Sequence, residues 1–220
     1  NEENMGEFVE CVQGIGEASK YLNFPVVSGN VSFYNQTKEV GIKPTPSIGG
    51  VGLIKNYKNM ITMDFKEINN LVLVIGKTEG HIDQSLFART ILDEKNNGES
   101  LLNLIEKGYV KSAHDVSLGG LLTAASKMCI KGNKGIKLNK SKNLINEVEY
   151  FFAEDQGRYL IEINLKDFDN VSKILDKNSI FHEKFGIIID KEMIINEKTK
   201  LTIDELRSYN TNWLIKYMST

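Results

Sequence analysis

Ser28-Gly29-Asn30-Val31-Ser32 places small polar groups inside a β-branched stretch that runs from Pro25 to Asn35. Gly and Asn are poor strand residues, so a segment built only to fill a core has no need of them there. Gly29 leaves a bare backbone where a ligand can approach closely. Asn30 offers a neutral carbonyl oxygen and an amide, and Ser32 a hydroxyl. In an extended chain residues 30 and 32 share a face, which makes a floor for a phosphate-rich ligand and its metal. A polar edge strand with a bulge at Gly29 accounts for the same spacing and is the simpler reading of it.

Two further polar turns carry chemistry-bearing groups. His114-Asp115-Val116-Ser117 leads into Gly119-Gly120 and a helix, a place where free helix N–H groups could meet an anion. The plainer account has Asp115 or Ser117 capping that helix and His114 satisfying buried backbone. Glu154-Asp155-Gln156-Gly157-Arg158 offers two carboxylates for metal binding or acid–base work. The plainer account is a turn with Arg158 as counter-ion. Ser47–Ile54, with three glycines in four positions, is read as a packed, glycine-bearing strand. It is not a dinucleotide fingerprint, because the spacing is wrong and no helix follows.

The elements that position these groups follow from periodicity. Met5, Phe8, Val9, Val12, Ile15 and Leu22 predict an amphipathic helix over about 4–22, ended by Asn23 and Pro25. A strand over Pro25–Asn35 comes next, then a polar loop to Lys43 and a stiff Pro44-Thr45-Pro46 link. The pattern pauses at Phe65–Asn70, where a domain boundary is placed, between 1–66 and 67–220. Leu71–Ile75 is a continuous apolar run, which predicts a strand buried on both faces. A helix carrying Leu86, Phe87, Ile91 and Leu92 follows, capped by Asp83, and then a second helix over about 99–107. Further expectations are a strand at 110–114 and helices at 119–130 and 143–150. An alternating strand reaches Ile163, and a helix covers 167–177. Strands at 185–189 and 192–195 precede a closing helix, 203–218, with Leu206, Trp213, Leu214 and Tyr217. The fold class is α/β (α+β).

Composition narrows the function. The 220 residues are 41% hydrophobic, enough for a real core, and the formal charge of −2 leaves no basic footprint for nucleic acid. No apolar run reaches membrane-span length. Cys11 and Cys129 stand far apart in no metal or redox spacing, as expected of reduced thiols in a cytoplasmic protein. The chain opens Asn1-Glu2-Glu3-Asn4 without an initiating Met, which suggests a piece of something longer. There is no Ser–His–Asp set, no Cys–His pair and no phosphate loop ending Gly-Lys-Ser/Thr. If the protein is an enzyme, most of its chemistry lies elsewhere.

Together, Pro25–Asn35, Pro44–Gly52, Ala113–Ser117 and Glu154–Tyr159 resemble the phosphoribosylformylglycinamidine synthase family, specifically the C-terminal portion of its small-form synthetase subunit. The resemblance implies two parts. Residues 1–66 would be the end of an ATP-binding N-terminal-type domain of the aminoimidazole ribonucleotide synthetase-like kind. Residues 67–220 would be the matching C-terminal α/β domain with a trailing helix. It also implies a reaction, in which formylglycinamide ribonucleotide, ATP and glutamine-derived ammonia give the amidine, ADP and phosphate, with ATP and Mg²⁺ as cofactors. The implied partners are the missing N-terminal half of the subunit, a glutaminase subunit and a small accessory subunit. By resemblance Gly29 contacts ATP, Asn30 is a Mg²⁺ ligand and Ser32 contacts substrate. The family's catalytic histidine and acidic metal ligands belong to the half not present, so no residue here is assigned as catalytic, and the piece alone is expected to be inactive.

Three positions depart from the family pattern: Gln36 for Glu, Leu118 for Asp and Ala153 for Gly. The last two put a ligand role for their turns in doubt. Two other functions stay open, a docking scaffold for the glutaminase and a related synthetase acting on another phosphorylated metabolite.

Overall fold

A computed structural model describes residues 2–32, 36–38, 40–41, 45–80, 91–139 and 146–219, with the backbone alone for 2, 3 and 91–94. The chain divides into two compact units, Asn1–Lys55 and Asn56–Thr220.

The smaller unit begins with α1 (Glu2–Tyr21), as the periodicity predicts. Asn23 takes a left-handed conformation at φ 52°, and the Phe24 N–H returns to Ser19 O over 2.9 Å, which closes the helix end. The expected strand over 25–35 does not form in the described part. Residues 24–32 carry no regular structure, and only β1 (Gln36–Thr37) and β2 (Val40–Gly41) pair, antiparallel. The Ser47–Ile54 strand is absent too. A strand exists only by pairing, and among the described residues neither segment pairs with a strand. Their apolar side chains are accordingly exposed, Val27 at 91% and Leu53 at 92%.

The larger unit is a seven-stranded sheet between two helical layers. Its elements in chain order are β3 (Leu71–Ile75), α2 (Ile91–Glu106), β4 (Val110–Val116), α3 (Gly120–Gly132) and β5 (Gly135–Leu138). Then come α4 (Glu147–Phe152), β6 (Arg158–Ile163), α5 (Phe168–Lys177), β7 (His182–Ile189), β8 (Glu192–Ile195), β9 (Thr199–Thr202) and α6 (Ile203–Met218). The strand order is β4-β6-β3-β7-β5-β8-β9, antiparallel except for β5 with β8.

β3 lies near the middle of this order, and all five of its residues are buried. Its alternation divides the core. Val72 and Val74 face α3, α4 and the start of α6, while Leu71, Leu73 and Ile75 face α2 and α5. Hydrophobic burial on both faces explains why this strand reads as an unbroken apolar run.

Several expectations are corrected. α2 runs as one helix through Asn96-Asn97-Gly98, where the sequence had suggested a break. Asn97 is spared the usual helix penalty because its side chain donates to Gly157 O instead of competing for its own backbone. The expected helix start at Asp83, with Leu86 and Phe87, lies outside the described residues. β5 and β9 were not foreseen. α6 packs only through its first turns: Ile203 is buried and Leu206 is packed against the core, while Trp213 is 60% exposed and Leu214 and Tyr217 are exposed as well.

Candidate functional site

The groups that sequence reading singled out fall in both units. In the smaller unit Gly29, Asn30 and Ser32 are all exposed, on the irregular stretch after α1. A Cβ built on Gly29 meets nothing within 4 Å, so the backbone there is open to a ligand. Among the described residues no side chain bonds to Asn30, and its carboxamide stands available. A neutral amide oxygen can share a hard cation with phosphate without adding repulsion. It could supply one of the six ligands that Mg²⁺ prefers, and the described residues hold no group of three or more His, Cys, Asp or Glu that could supply the rest. The residues present therefore fit a contributing wall of a nucleotide–metal site.

In the larger unit the polar turns come together, and the structure gives most of their side chains structural partners. α3 opens at Gly119 (φ 79°), whose N–H donates to Glu154 Oε1 over 2.8 Å. Neither Asp115 nor Ser117 caps the helix through its side chain. The helix N-terminus that might have held an anion is occupied by the protein's own carboxylate. A Cβ on Gly120 would come within 2.5 Å of Ala153 O, so only glycine allows the α3 start to lie against the 151–153 backbone. Asp155 Oδ2 accepts the N–H groups of Glu79 (2.9 Å) and Gly80 (3.1 Å).

Arg158, 1% exposed, is the anchor of this region. It donates to Asp155 O (3.0 Å), Thr78 Oγ1 (2.9 Å) and Ala153 O (2.7 Å), so it ties β6 to the turns on either side. Burial pulls its guanidinium below the ordinary value, opposed by the negative charge of Asp155. Tyr150 donates to Glu183 Oε1 over 2.7 Å, and burial, then the Glu183 charge, push its phenol up.

His114 behaves differently from expectation. Its Nδ1 lies 3.1 Å from Asp115 Oδ1, which as a carboxylate can only accept, so the ring carries its proton on Nδ1. Among the described residues, Nε2 is buried without a partner and serves no backbone group.

Sequence reading missed Glu162 and Asn97. Glu162 is fully buried and accepts four hydrogen bonds. Lys66 N–H (2.8 Å) and Ser112 Oγ (2.7 Å) reach Oε2, and Glu67 N–H (3.0 Å) and Asn70 Nδ2 (2.7 Å) reach Oε1. Its place in an alternating strand signals a solvent-facing acid. Only the covering 66–70 segment makes it internal.

Residues 72–195 match the family profile "AIR synthase related protein, C-terminal domain", and residues 1–54 match the corresponding N-terminal domain. The chain is 64% identical to phosphoribosylformylglycinamidine synthase subunit PurL of Pelagibacter ubique, over 99% of this chain and 32% of that protein. It is 35% identical to the same subunit of Bartonella henselae, over 98% of this chain and 31% of that protein. It thus spans about a third of the length of the curated relatives it matches. Among solved structures, Thermotoga maritima PurL complexed with ATP superposes with a TM-score of 0.60 at 18% identity, over 68% of this chain and 27% of that one. At that identity the likeness establishes the fold.

Proposed function

Since this chain belongs to the AIR synthase related family, we propose that it is the C-terminal part of a phosphoribosylformylglycinamidine synthase. The 64% identity to PurL across nearly the whole chain carries this reading. In the proposed reaction ATP activates the amide oxygen of formylglycinamide ribonucleotide. Ammonia from a glutaminase then displaces phosphate to give the amidine, ADP and phosphate. Solved relatives support the ligand classes, being described as complexes of T. maritima PurL with ATP and with FGAR. A relative described as PurLQS supports a multi-subunit assembly, with a glutaminase and a small accessory subunit as the partners we propose.

Within that reaction the smaller unit, with residues up to about 66, contributes to the nucleotide-binding domain. The open backbone at Gly29 lies along ATP, the Asn30 oxygen serves as one neutral Mg²⁺ ligand and the Ser32 hydroxyl orients substrate. Bound Mg²⁺ would supply charge neutralisation for the transferred phosphoryl group. The larger unit is a rigid support, since Glu154 and Asp155 already hold backbone N–H groups in place. That engagement also lends weight to a second reading, in which the larger unit serves mainly to dock partners. The site of action is the cytoplasm.

The test is reconstitution. This chain, co-expressed with the remaining part of its parent subunit, is expected to convert formylglycinamide ribonucleotide with ATP and ammonia, and each piece alone to be inactive. Turnover by this chain alone, or none from a folded and associated pair, would overturn the proposal.

A further inference from the structure

α6 begins in the core and ends in solvent. A capping box closes its first turn, Ile203 is buried, and Leu206 packs against the core cluster that includes α3. Arg207 Nη2 donates to Asn133 Oδ1, at the end of α3, over 3.2 Å. Beyond this anchor the helix runs on for about three turns. Ser208-Tyr209-Asn210-Thr211-Asn212 are modest helix formers in succession, so intrinsic propensity contributes little to holding it. A free helix of that length is marginal in water and draws its stability from packing an apolar face.

The face is present. Ile203, Leu206, Asn210, Trp213 and Tyr217 follow one another at spacings of three and four, and Leu214 lies beside Trp213 on the same side. The first two members lie against the core, whereas Trp213 is 60% and Leu214 50% exposed. The stripe that seats the helix on its domain is thus continued outward by exposed apolar side chains. On the other side Thr211 Oγ1 donates to Arg207 O (2.8 Å) and Asn212 Nδ2 to Ser208 Oγ (3.0 Å), so the polar groups there are satisfied within the helix. An exposed apolar surface continuous with a packed one marks a contact.

Two observations select what covers it. The C-terminal domain profile ends at residue 195, ahead of α6, whereas the 64% match to the P. ubique subunit covers 99% of the chain and so runs on through α6. The helix therefore belongs to what this chain shares with that longer subunit, of which the chain matches 32%. Charge is the second observation. Between Leu206 and Met218 the only charged side chains are Arg207 and Lys216, with no acid. A second copy would bring the same cations to the contact, whereas an acidic surface would complement them.

We propose that the outer face of α6 docks on the remaining part of the parent subunit, in an apolar groove with an acidic rim, and that Trp213 anchors the contact. This rests on the reading above that the chain is part of a larger subunit.

Trp213 is the one tryptophan of the chain, so it reports on the contact directly. The chain is labelled with 5-fluorotryptophan, alone and co-expressed with the remaining part of its parent subunit. In the pair the Trp213 resonance is assigned by its loss in Trp213→Phe. The resonance is expected to shift between H₂O and D₂O in the chain alone, as an exposed ring does, and to lose that sensitivity in the pair. Leu214→Asp and Trp213→Asp should each lower the amount of partner that co-purifies with the tagged chain by about tenfold or more. Neither should move the denaturation midpoint of the chain, since both side chains are exposed. A Trp213 signal that stays solvent-sensitive in a pair that forms and turns over would overturn the docking and leave the proposed function standing. A buried Trp213 in a pair without turnover would do the reverse. Burial of Trp213 in the chain alone, growing with concentration, would overturn the docking in favour of self-association, and failure of the two parts to associate would overturn both proposals.

Discussion

The backbone N–H of Gly119 donates to Glu154 Oε1 over 2.8 Å, across a sequence separation of 35 residues. An acid that looks like a metal ligand in the sequence is thus the cap of α3 and joins the β4–α3 turn to the segment leading into β6. Glu154→Ala is expected to lower stability by about 1 kcal/mol, as removal of a helix N-cap acceptor does. Chemical denaturation of the chain and the variant checks this. Magnesium dependence of the reconstituted enzyme should not move, and a shift in it would return Glu154 to the list of metal ligands.

Glu162 sits deeper, and its loss should cost more. Glu162→Ala leaves two backbone N–H groups, an amide and a hydroxyl without their acceptor in a buried place. The expected loss is about 3 kcal/mol or more. Glu162→Gln keeps one carbonyl but points an NH₂ at donors, so it should fall between the alanine variant and the parent. Equal stability of all three in denaturant titrations would show that water takes over the four bonds.

Acidification should loosen particular places first. Lys66, and then Thr62, hold the Asp64 carboxyl below its ordinary value of 3.8, and the Thr202 N–H, then its hydroxyl, do the same for Glu205 against 4.5. A carboxylate whose folded value is depressed stabilises the fold above its unfolded value, and that contribution is lost as pH falls through the folded one. The window therefore lies below about pH 4.5, between those ordinary values and the lower folded ones. The start of α6 should fray there, because Thr202 and Glu205 form its capping box. Amide exchange in α6 as pH falls tests this, and Glu205→Gln should remove most of the pH dependence.

Cys129 is buried in the core, and burial pushes its thiol well above the ordinary range, whereas Cys11 on α1 is only partly buried. The thiolate is the reactive form. A thiol reagent at neutral pH should therefore modify Cys11 alone in the folded chain and both cysteines in denaturant. Rapid labelling of Cys129 under native conditions would mean that α3 opens readily.

The sequence made the hydrophobic framework legible and left the polar interior hidden. β3 announces itself because both its faces are covered, so five apolar residues stand in a row. α1 and α5 show their helical period plainly. β5 and β9 are four residues each and owe their existence to neighbouring strands, which local pattern cannot reveal. The reverse failure occurs at 25–32, where strand-like residues pair with no strand among the described residues and stay irregular. Glu162 and Arg158 are the residue types that usually face water. Their burial depends on segments distant in the chain, Lys66–Asn70 for one and Thr78 with the 153–155 turn for the other.

Asn30 and Ser32 bear most directly on the proposed function. Both are exposed in the smaller unit, so Asn30→Ala should change stability by no more than about 0.5 kcal/mol. In the reconstituted enzyme the proposed roles separate the two variants. Asn30→Ala removes a neutral oxygen from the nucleotide–metal side, and turnover should fall by about tenfold or more, partly restored by raised magnesium. Ser32→Ala removes a substrate contact and should raise KM for formylglycinamide ribonucleotide with a smaller effect on ATP. Steady-state kinetics against each substrate, at two magnesium concentrations, reads both. Unchanged rates in both variants would leave the polar stretch after α1 without a part in the reaction and favour the docking role for this chain.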